Sequence, residues 1–323
     1  MPSPEDEATK RGNLLRDKGD FDGAIASYSE AIRRNPQNAQ PYSSRGDAYL
    51  RKGEFDKAIT DFNKAVQLDP MLAEAYFTRG NYHGWTGKFD QAITDYTEAI
   101  RLNPQFAEAF RGRGVAYQKR GELDKVVADC TEAIRLDPQS AKAYWGRAHA
   151  YEMKGDFGKS IVDFTESIRL DSRHAEVYWG RAYAYHKTGE FDKAIADYTE
   201  AIRLDPEQAS TYYNRGLTYF TRDDYDNAVA DFTDAALLNP KDDEAYCVRG
   251  CAHYNKGDYD NAITDFTTAI RINPKDGYRF YARGCSYLQK DEKAKADTDF
   301  TQAQKLGLSV FPQASSLTPQ AFP

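Results

Sequence analysis

Apolar residues recur along the chain at helical spacing, in pairs of short segments separated by a glycine. In residues 175–208 the first segment carries them at Tyr178, Ala182 and Tyr185. The second segment carries them at Phe191, Ala194, Ile195, Tyr198, Ala201 and Ile202. Each run fits one face of a helix. Gly189 lies between the runs, where a helix can end with a positive φ, and Pro206 follows them, where a helix cannot continue. The pattern predicts a hairpin of two amphipathic helices.

The same hairpin pattern recurs every 34 residues. An arginine followed by Gly or Ala marks the interval, at Arg11, Arg45, Arg79, Arg113, Arg147, Arg181, Arg215, Arg249 and Arg283. Such a fixed period is the signature of a repeat architecture. We therefore predict nine repeats, at residues 5–38, 39–72, 73–106, 107–140, 141–174, 175–208, 209–242, 243–276 and 277–310. Positions below are counted from the first residue of each repeat.

Most repeats have an aromatic residue at position 4, small residues at positions 8, 20 and 27, an aromatic residue at position 24 and Pro at position 32. In repeat 6 these are Tyr178, Ala182, Ala194, Ala201, Tyr198 and Pro206. This pattern resembles the tetratricopeptide repeat. The resemblance implies an all-α fold, a right-handed superhelical solenoid of helix-turn-helix hairpins. It also implies that the first helices line a concave groove and that the second helices form the convex back.

The local departures from this pattern leave the register intact. Cys130 stands where an aromatic residue is expected, Ser172 replaces a proline, and Asp223 and Asp291 replace the turn glycine. Repeat 9 has Asp297 and Gln304 at positions that are mostly Ile or Val elsewhere, which predicts a polar face that ends the array.

The residues after the last repeat are predicted to form a disordered tail, 311–323. This stretch contains three prolines and no charged residue. The alternative is that Phe311 or Phe322 folds back onto the last hairpin or into the groove.

Position 7 is Arg in all nine repeats, although the family that the pattern resembles usually has an apolar residue there. A buried guanidinium needs an anion, and position 23 is Asp in eight repeats. The sequence predicts a ladder of ion pairs within a hairpin or between neighbours: Arg45 with Asp61, Arg79 with Asp95, Arg113 with Asp129, Arg147 with Asp163, Arg181 with Asp197, Arg215 with Asp231, Arg249 with Asp265 and Arg283 with Asp299. The alternative is a basic track for an acidic ligand.

By the resemblance, positions 2, 5, 9, 12 and 13 of the first helix face the groove. In the middle repeats these positions are rich in aromatic residues, which dominate binding hot spots. The predicted peptide-binding residues are Phe77, Arg111, Trp145, His149, Trp179, Tyr183, His186, Tyr213 and Phe220. The alternative is that the two tryptophans pack against neighbouring first helices, where Gly146 and Gly180 leave room.

The function that this pattern predicts is a non-catalytic scaffold that binds an extended, neutral or basic peptide segment of another protein. A carboxylate clamp of the kind found in some members of the family is not expected, because no repeat has Lys at position 5. The alternative is a regulatory or assembly subunit that docks to an enzyme complex through its convex face or C-terminal end, with the groove filled by its own tail or by another copy.

Composition narrows the partners further. The chain has 43 Lys plus Arg against 50 Asp plus Glu, a net charge of −7, which argues against nucleic acid. It has neither a long apolar run nor a signal sequence, so no membrane partner is expected, and four cysteines suit a reducing cytoplasm.

Chemistry beyond binding finds little support in the sequence. Cys247, Cys251 and Cys285 could share the groove as a soft-metal or redox site, but their spacing meets no standard metal pattern. No catalytic motif is recognisable. The sequence therefore predicts no metal site, no cofactor and no enzymatic activity. It leaves the oligomeric state open.

Overall fold

The computed structural model describes residues 4–308 and 317–318, and helices account for nearly all of them. The first helices of the repeats are α1 (Pro4–Asp17), α3 (Ala39–Arg51), α5 (Ala73–Trp85), α7 (Ala107–Lys119), α9 (Ala141–Met153), α11 (Ala175–Lys187), α13 (Ala209–Thr221), α15 (Asp243–Asn255) and α17 (Gly277–Gln289). The second helices are α2 (Phe21–Arg34), α4 (Phe55–Leu68), α6 (Phe89–Leu102), α8 (Leu123–Leu136), α10 (Phe157–Leu170), α12 (Phe191–Leu204), α14 (Tyr225–Leu238), α16 (Tyr259–Ile272) and α18 (Lys293–Lys305). The predicted all-α class and its tandem hairpins are confirmed.

The chain divides into two compact units near the end of repeat 5, directly after its second helix. The N-terminal unit is Met1–Leu170 and the C-terminal unit is Asp171–Pro323. The division falls beside Ser172, where the usual proline is missing, and residues 171–174 form no helix. Within each unit, a second helix packs against the first helix of the next repeat, and neighbouring first helices also touch.

The turn inside each hairpin requires a left-handed backbone. Gly189 has a φ of 80°, and Asp223 and Asp291 have φ values of 59° and 61° at the equivalent position. A residue with a Cβ is strained in this conformation, although Asp tolerates it better than most. At Asp223 the carboxylate also accepts a hydrogen bond of 2.6 Å from the Tyr225 hydroxyl, which fixes the turn.

The seam of every hairpin except that of repeat 4, which has Cys130, is closed by a ring on the second helix that lies against a very small residue on the first. Phe62 is fully buried, and its Cε1 is 2.5 Å from where a Cβ on Gly46 would stand. The small residues at positions 20 and 27, such as Ala58 and Ala65, are also fully buried. The spacing of small and aromatic residues therefore sets how closely the two helices approach.

All eight predicted Arg–Asp pairs are in contact, and each lies within one hairpin. The Nε and Nη2 atoms of every arginine donate to the two carboxylate oxygens over 2.6–3.0 Å. In repeat 1, where position 23 is Ser, Arg11 Nε donates to Ser27 Oγ over 3.0 Å. This geometry commits the guanidinium groups to internal partners, as the ladder requires.

A third nitrogen of the same arginines links consecutive hairpins within a unit. Arg147 Nη1 donates to Thr131 Oγ1 of the preceding repeat over 3.0 Å, and Arg249 Nη1 donates to Thr233 Oγ1 over 3.1 Å. The arginine row therefore fixes both the closure of a hairpin and its register against the one before it.

Candidate functional site

The first-helix face, defined here by positions 2, 5, 9, 12 and 13, exposes apolar side chains in the N-terminal unit. Trp145 is 40% exposed and Val115 is 45% exposed. Phe77 is half-buried, with its ring centroid 4.7 Å from that of Phe106, and Arg111 is also half-buried. Exposed apolar surface of this kind commonly marks a binding site.

His149 and Glu152 add polar groups to the same face. Gln118 Nε2 donates to His149 Nδ1 over 3.2 Å, and burial lowers the pKa of this imidazole, so it is neutral at pH 7. Glu152 Oε2 is buried and has no hydrogen-bond partner among the residues that the structure describes. Desolvation raises the pKa of Glu152 to about 7.

Replacing Glu152 by Gln is expected to stabilise the protein at pH 8 and to change little at pH 4. The pKa of this group is higher in the folded chain than the ordinary 4.5, so the stability of the wild type falls as pH rises from 4.5 to 7. Glutamine has the same shape but carries no charge at any pH, so it does not lose this stability. At pH 8 we expect its free energy of unfolding to be higher by roughly 1 kcal/mol, a value reduced because the group is partly solvated. Urea denaturation at both pH values measures it.

The control for this prediction is Glu166→Gln on the second helix α10. Glu166 accepts a 2.6 Å bond from Arg169, which lowers its pKa, so its replacement brings no gain at pH 8. A Glu152→Gln gain that is equal at pH 4 and pH 8 would contradict the titration argument.

In the C-terminal unit, two of the predicted aromatic residues form a stacked pair. The rings of Trp179 and Tyr183 have centroids 5.6 Å apart and planes inclined by 5°. Both rings are half-buried, and Trp179 Nε1 is buried with no hydrogen-bond partner among the described residues. A flat ring pair with an unused donor is suited to receive a further polar group.

His186 and Tyr213 hold polar contacts between first helices of this unit. His186 Nδ1 is 2.9 Å from Thr218 Oγ1, which itself donates to the Asn214 carbonyl, so His186 is the donor. Burial lowers the pKa of His186. Tyr213 donates to Glu244 Oε1 over 2.5 Å and remains half-buried.

Phe220 does not fit the prediction of a groove anchor. Its side chain is only 8% exposed, and its ring packs edge-on against Tyr225, 5.3 Å away between centroids. Position 12 lies near the turn, and here the side chain points into the seam of its own hairpin. Phe220 is therefore a core residue.

The first-helix face of α15 and α17 already holds a peptide segment of the chain itself, formed by Leu317 and Thr318. Asn255 Nδ2 donates to the Leu317 carbonyl over 2.6 Å, and the Leu317 amide donates to Asn255 Oδ1 over 3.0 Å. The Tyr278 hydroxyl donates to the Thr318 carbonyl over 2.5 Å. These two residues are therefore held by their main chain, as a bound extended peptide would be.

The Leu317 side chain is 2% exposed and joins a buried cluster. Other members of this cluster are Cys247, Cys251, Tyr254, Tyr278, Tyr281 and Cys285. The prediction of a disordered tail is wrong for Leu317 and Thr318, because these hydrogen bonds and this burial fix them. Phe311 and Phe322, the residues proposed to fold back, lie outside the described residues.

Comparison between repeats links the burial of the thiols to this segment. At position 9, Cys251 and Cys285 are buried, whereas the equivalent residues of the other seven repeats are half-buried or exposed. The two cysteines lie in the repeats whose first helices hold Leu317. Covering by the segment accounts for the difference.

The thiols have no metal-binding arrangement within residues 4–308 and 317–318. All four cysteines are free, and no cluster of three potential ligands occurs among these residues. Desolvation raises the pKa of Cys285 to about 11, and a hydrogen bond with Cys251 raises the pKa of Cys247. Such groups behave as small apolar side chains.

Sequence reasoning missed Asn255 and Tyr278, although both stand at positions that the resemblance assigns to the groove. Asn255 is the single Asn at position 13 among the nine repeats. Three small thiols at positions 5 and 9 were a second signal, because they leave room where other repeats have larger side chains.

Comparison with protein families supports the repeat assignment along most of the chain. Tetratricopeptide repeat profiles match residues 9–73, 107–140, 141–174, 209–242 and 243–276, and a TPR repeat profile matches residues 86–121 and 183–223. Among curated proteins, none matches the chain with statistical significance. No helix in the described part of the chain has the length and apolar character needed to cross a membrane.

Solved structures with the same fold include several repeat proteins. A tetratricopeptide repeat protein from Parabacteroides merdae is 24% identical, covering 73% of this chain and 93% of its own, with a TM-score of 0.52. Pseudomonas aeruginosa pilF is 18% identical, and the match covers 62% of this chain and 92% of pilF, with a TM-score of 0.56. A chain of the APC/C hetero-tetramer Cut9–Hcn1 is 19% identical, and the match covers 91% of this chain and 56% of that one, with a TM-score of 0.54.

Proposed function

Because the chain belongs to the tetratricopeptide repeat family, we propose that it is a non-catalytic scaffold that binds an extended peptide segment of a partner protein on its first-helix face. The observation that carries this proposal is the Leu317–Thr318 segment. One part of the face already accommodates a peptide through main-chain hydrogen bonds and a buried side chain. Other parts of the face carry aromatic side chains that no described tail residue covers in this way.

The anchors that we propose are Trp145 in the N-terminal unit and Trp179, Tyr183 and Tyr213 in the C-terminal unit. The flanking contacts that we propose are half-buried: Phe77, Arg111, His149 and His186. Protein partners suit the net charge of −7 better than nucleic acid does. A cytoplasmic location stays a prediction from the sequence.

The test is selection of peptides from a random displayed library on the full chain, followed by fluorescence anisotropy with single variants. Trp145→Ala or Trp179→Ala is expected to weaken the binding of a selected peptide by at least about tenfold, because truncation of a hot-spot side chain costs about 2 kcal/mol or more. Circular dichroism confirms that each variant is folded.

The matched controls lie on the second helices. Val162→Ala and Leu237→Ala remove apolar side chains that are 67% and 72% exposed, and they are expected to leave affinity unchanged. If the tryptophan variants bind as tightly as the wild type while a control variant loses binding, recognition lies on the opposite face and the proposal is wrong.

A further inference from the structure

We infer that the segment around Leu317 is an intramolecular ligand of a leucine subsite on α15 and α17, and that a partner peptide with leucine at this place must displace it. The inference rests on the proposed function and adds two things to it. It names the side chain that the subsite selects. It also makes binding of a partner peptide at the subsite regulated, because the chain's own segment occupies the subsite and competes with that peptide.

Recognition of the main chain at this subsite depends on two side chains, Asn255 and Tyr278. The Asn255 amide offers both a donor and an acceptor, and it uses them on the carbonyl and the amide of the same residue. This pairing accepts any extended residue that has an amide proton, and it excludes proline at that position. The Tyr278 hydroxyl then fixes the next carbonyl. The segment is thus read as an extended peptide.

Selection of leucine depends on the space beside this clamp. Cys247 at position 5, with Cys251 and Cys285 at position 9, replaces the larger residues of the middle repeats, such as Trp179 and Tyr183. Leu317 is 2% exposed within the cluster that these thiols share. A branched aliphatic side chain without polar atoms fits such a lining, whereas a charged side chain would lose its hydration there.

The chain connects this ligand to its subsite by a short tether. Leu308, the last described residue before the segment, packs against the same cluster, and eight residues separate it from Leu317. A tether of this length gives an effective concentration of about millimolar, so even a weak ligand stays bound in cis. Thr318 precedes Pro319, which favours an extended backbone before binding.

The three thiols provide a reporter of occupancy, and Cys130 in the N-terminal unit provides an internal control. Full-length wild type and Leu317→Asp are treated with iodoacetamide, and the alkylation rate of each cysteine is followed by mass spectrometry. Expulsion of the charged segment is expected to raise the rates at Cys251 and Cys285 at least tenfold and to leave Cys130 unchanged. Asn255→Ala should act in the same direction, whereas Asn214→Ala, which removes a bond within α13, should not.

A synthetic peptide of residues 311–323 separates ligand release from local unfolding. Added at up to several millimolar to the Leu317→Asp chain, it is expected to restore protection of Cys251 and Cys285, whereas the same peptide with the Leu317→Asp change should not. Unchanged rates in Leu317→Asp would overturn the inference, and so would raised rates that the wild-type peptide fails to lower. Each result is independent of the tryptophan variants, so failure of the proposed anchors remains distinguishable.

Discussion

Replacing Arg147 by alanine is expected to lower the free energy of unfolding by about 3–5 kcal/mol, because it leaves a buried carboxylate without its partner. The Asp163 side chain is 5% exposed, and both of its oxygens accept from this guanidinium, over 2.7 and 2.9 Å. The change also removes the bond to Thr131 in the preceding repeat and the packing of the guanidinium over the Tyr144 ring. Urea denaturation followed by circular dichroism measures the loss.

Two further variants separate the charge from the volume. Arg147→Met fills most of the space and should lose less than Arg147→Ala, although Asp163 stays unpaired. The double variant Arg147→Met, Asp163→Leu replaces the whole pair by apolar groups and should recover most of the stability. Removing one partner is costly because the other charge stays buried without a partner, and the double variant leaves no such charge. A double variant as unstable as Arg147→Ala would show that the ladder itself, and not the orphaned charge, holds the hairpin together.

The hairpins and the ladder could be predicted because the sequence repeats them. Nine copies of each position average out local exceptions, so the Arg at position 7 and the Asp at position 23 stand out in any alignment of the repeats. The partner of Arg147 was left open between its own hairpin and a neighbour. The structure resolves this by geometry, since the two carboxylate oxygens face Nε and Nη2 within one hairpin and the third nitrogen reaches the neighbour.

The candidate site was harder to predict because its decisive residues do not repeat. Leu317 lies outside the repeats, and its bonds to Asn255 join residues 62 positions apart. No periodicity encodes such a contact. Phe220 was misplaced because position 12 lies beside the turn. There the rings of His186, Phe220 and Tyr254 each pack edge-on against the first residue of the following helix.

The seam between Gly46 and Phe62 is expected to show coupled effects on stability. Phe62→Ala should cost about 3–5 kcal/mol, because the ring is fully buried and packs against Tyr82, 6.3 Å away between centroids. Gly46→Ala should cost about 1–3 kcal/mol, because its Cβ would stand 2.5 Å from Phe62 Cε1. Chemical denaturation of the single and double variants provides the measurement.

The sign of the Gly46→Ala effect should reverse once the ring is removed. In the Phe62→Ala background the new methyl group meets a cavity, and alanine is favoured over glycine in a helix by up to about 1 kcal/mol, so the double variant should be more stable than Phe62→Ala alone. Ala148 and Ala182 occupy the same position in repeats 5 and 6 and are fully buried, so a helix of this fold accepts a methyl group where the facing ring has room.

The control for this prediction is Gly53→Ala. Its φ of 76° strains alanine, and no atom lies within 4 Å of the added Cβ, so its cost in stability should be the same in both backgrounds. If Gly46→Ala lowers stability equally with and without the ring, the distance between α3 and α4 is set by other contacts. Position 8 is then small for a reason other than contact with position 24.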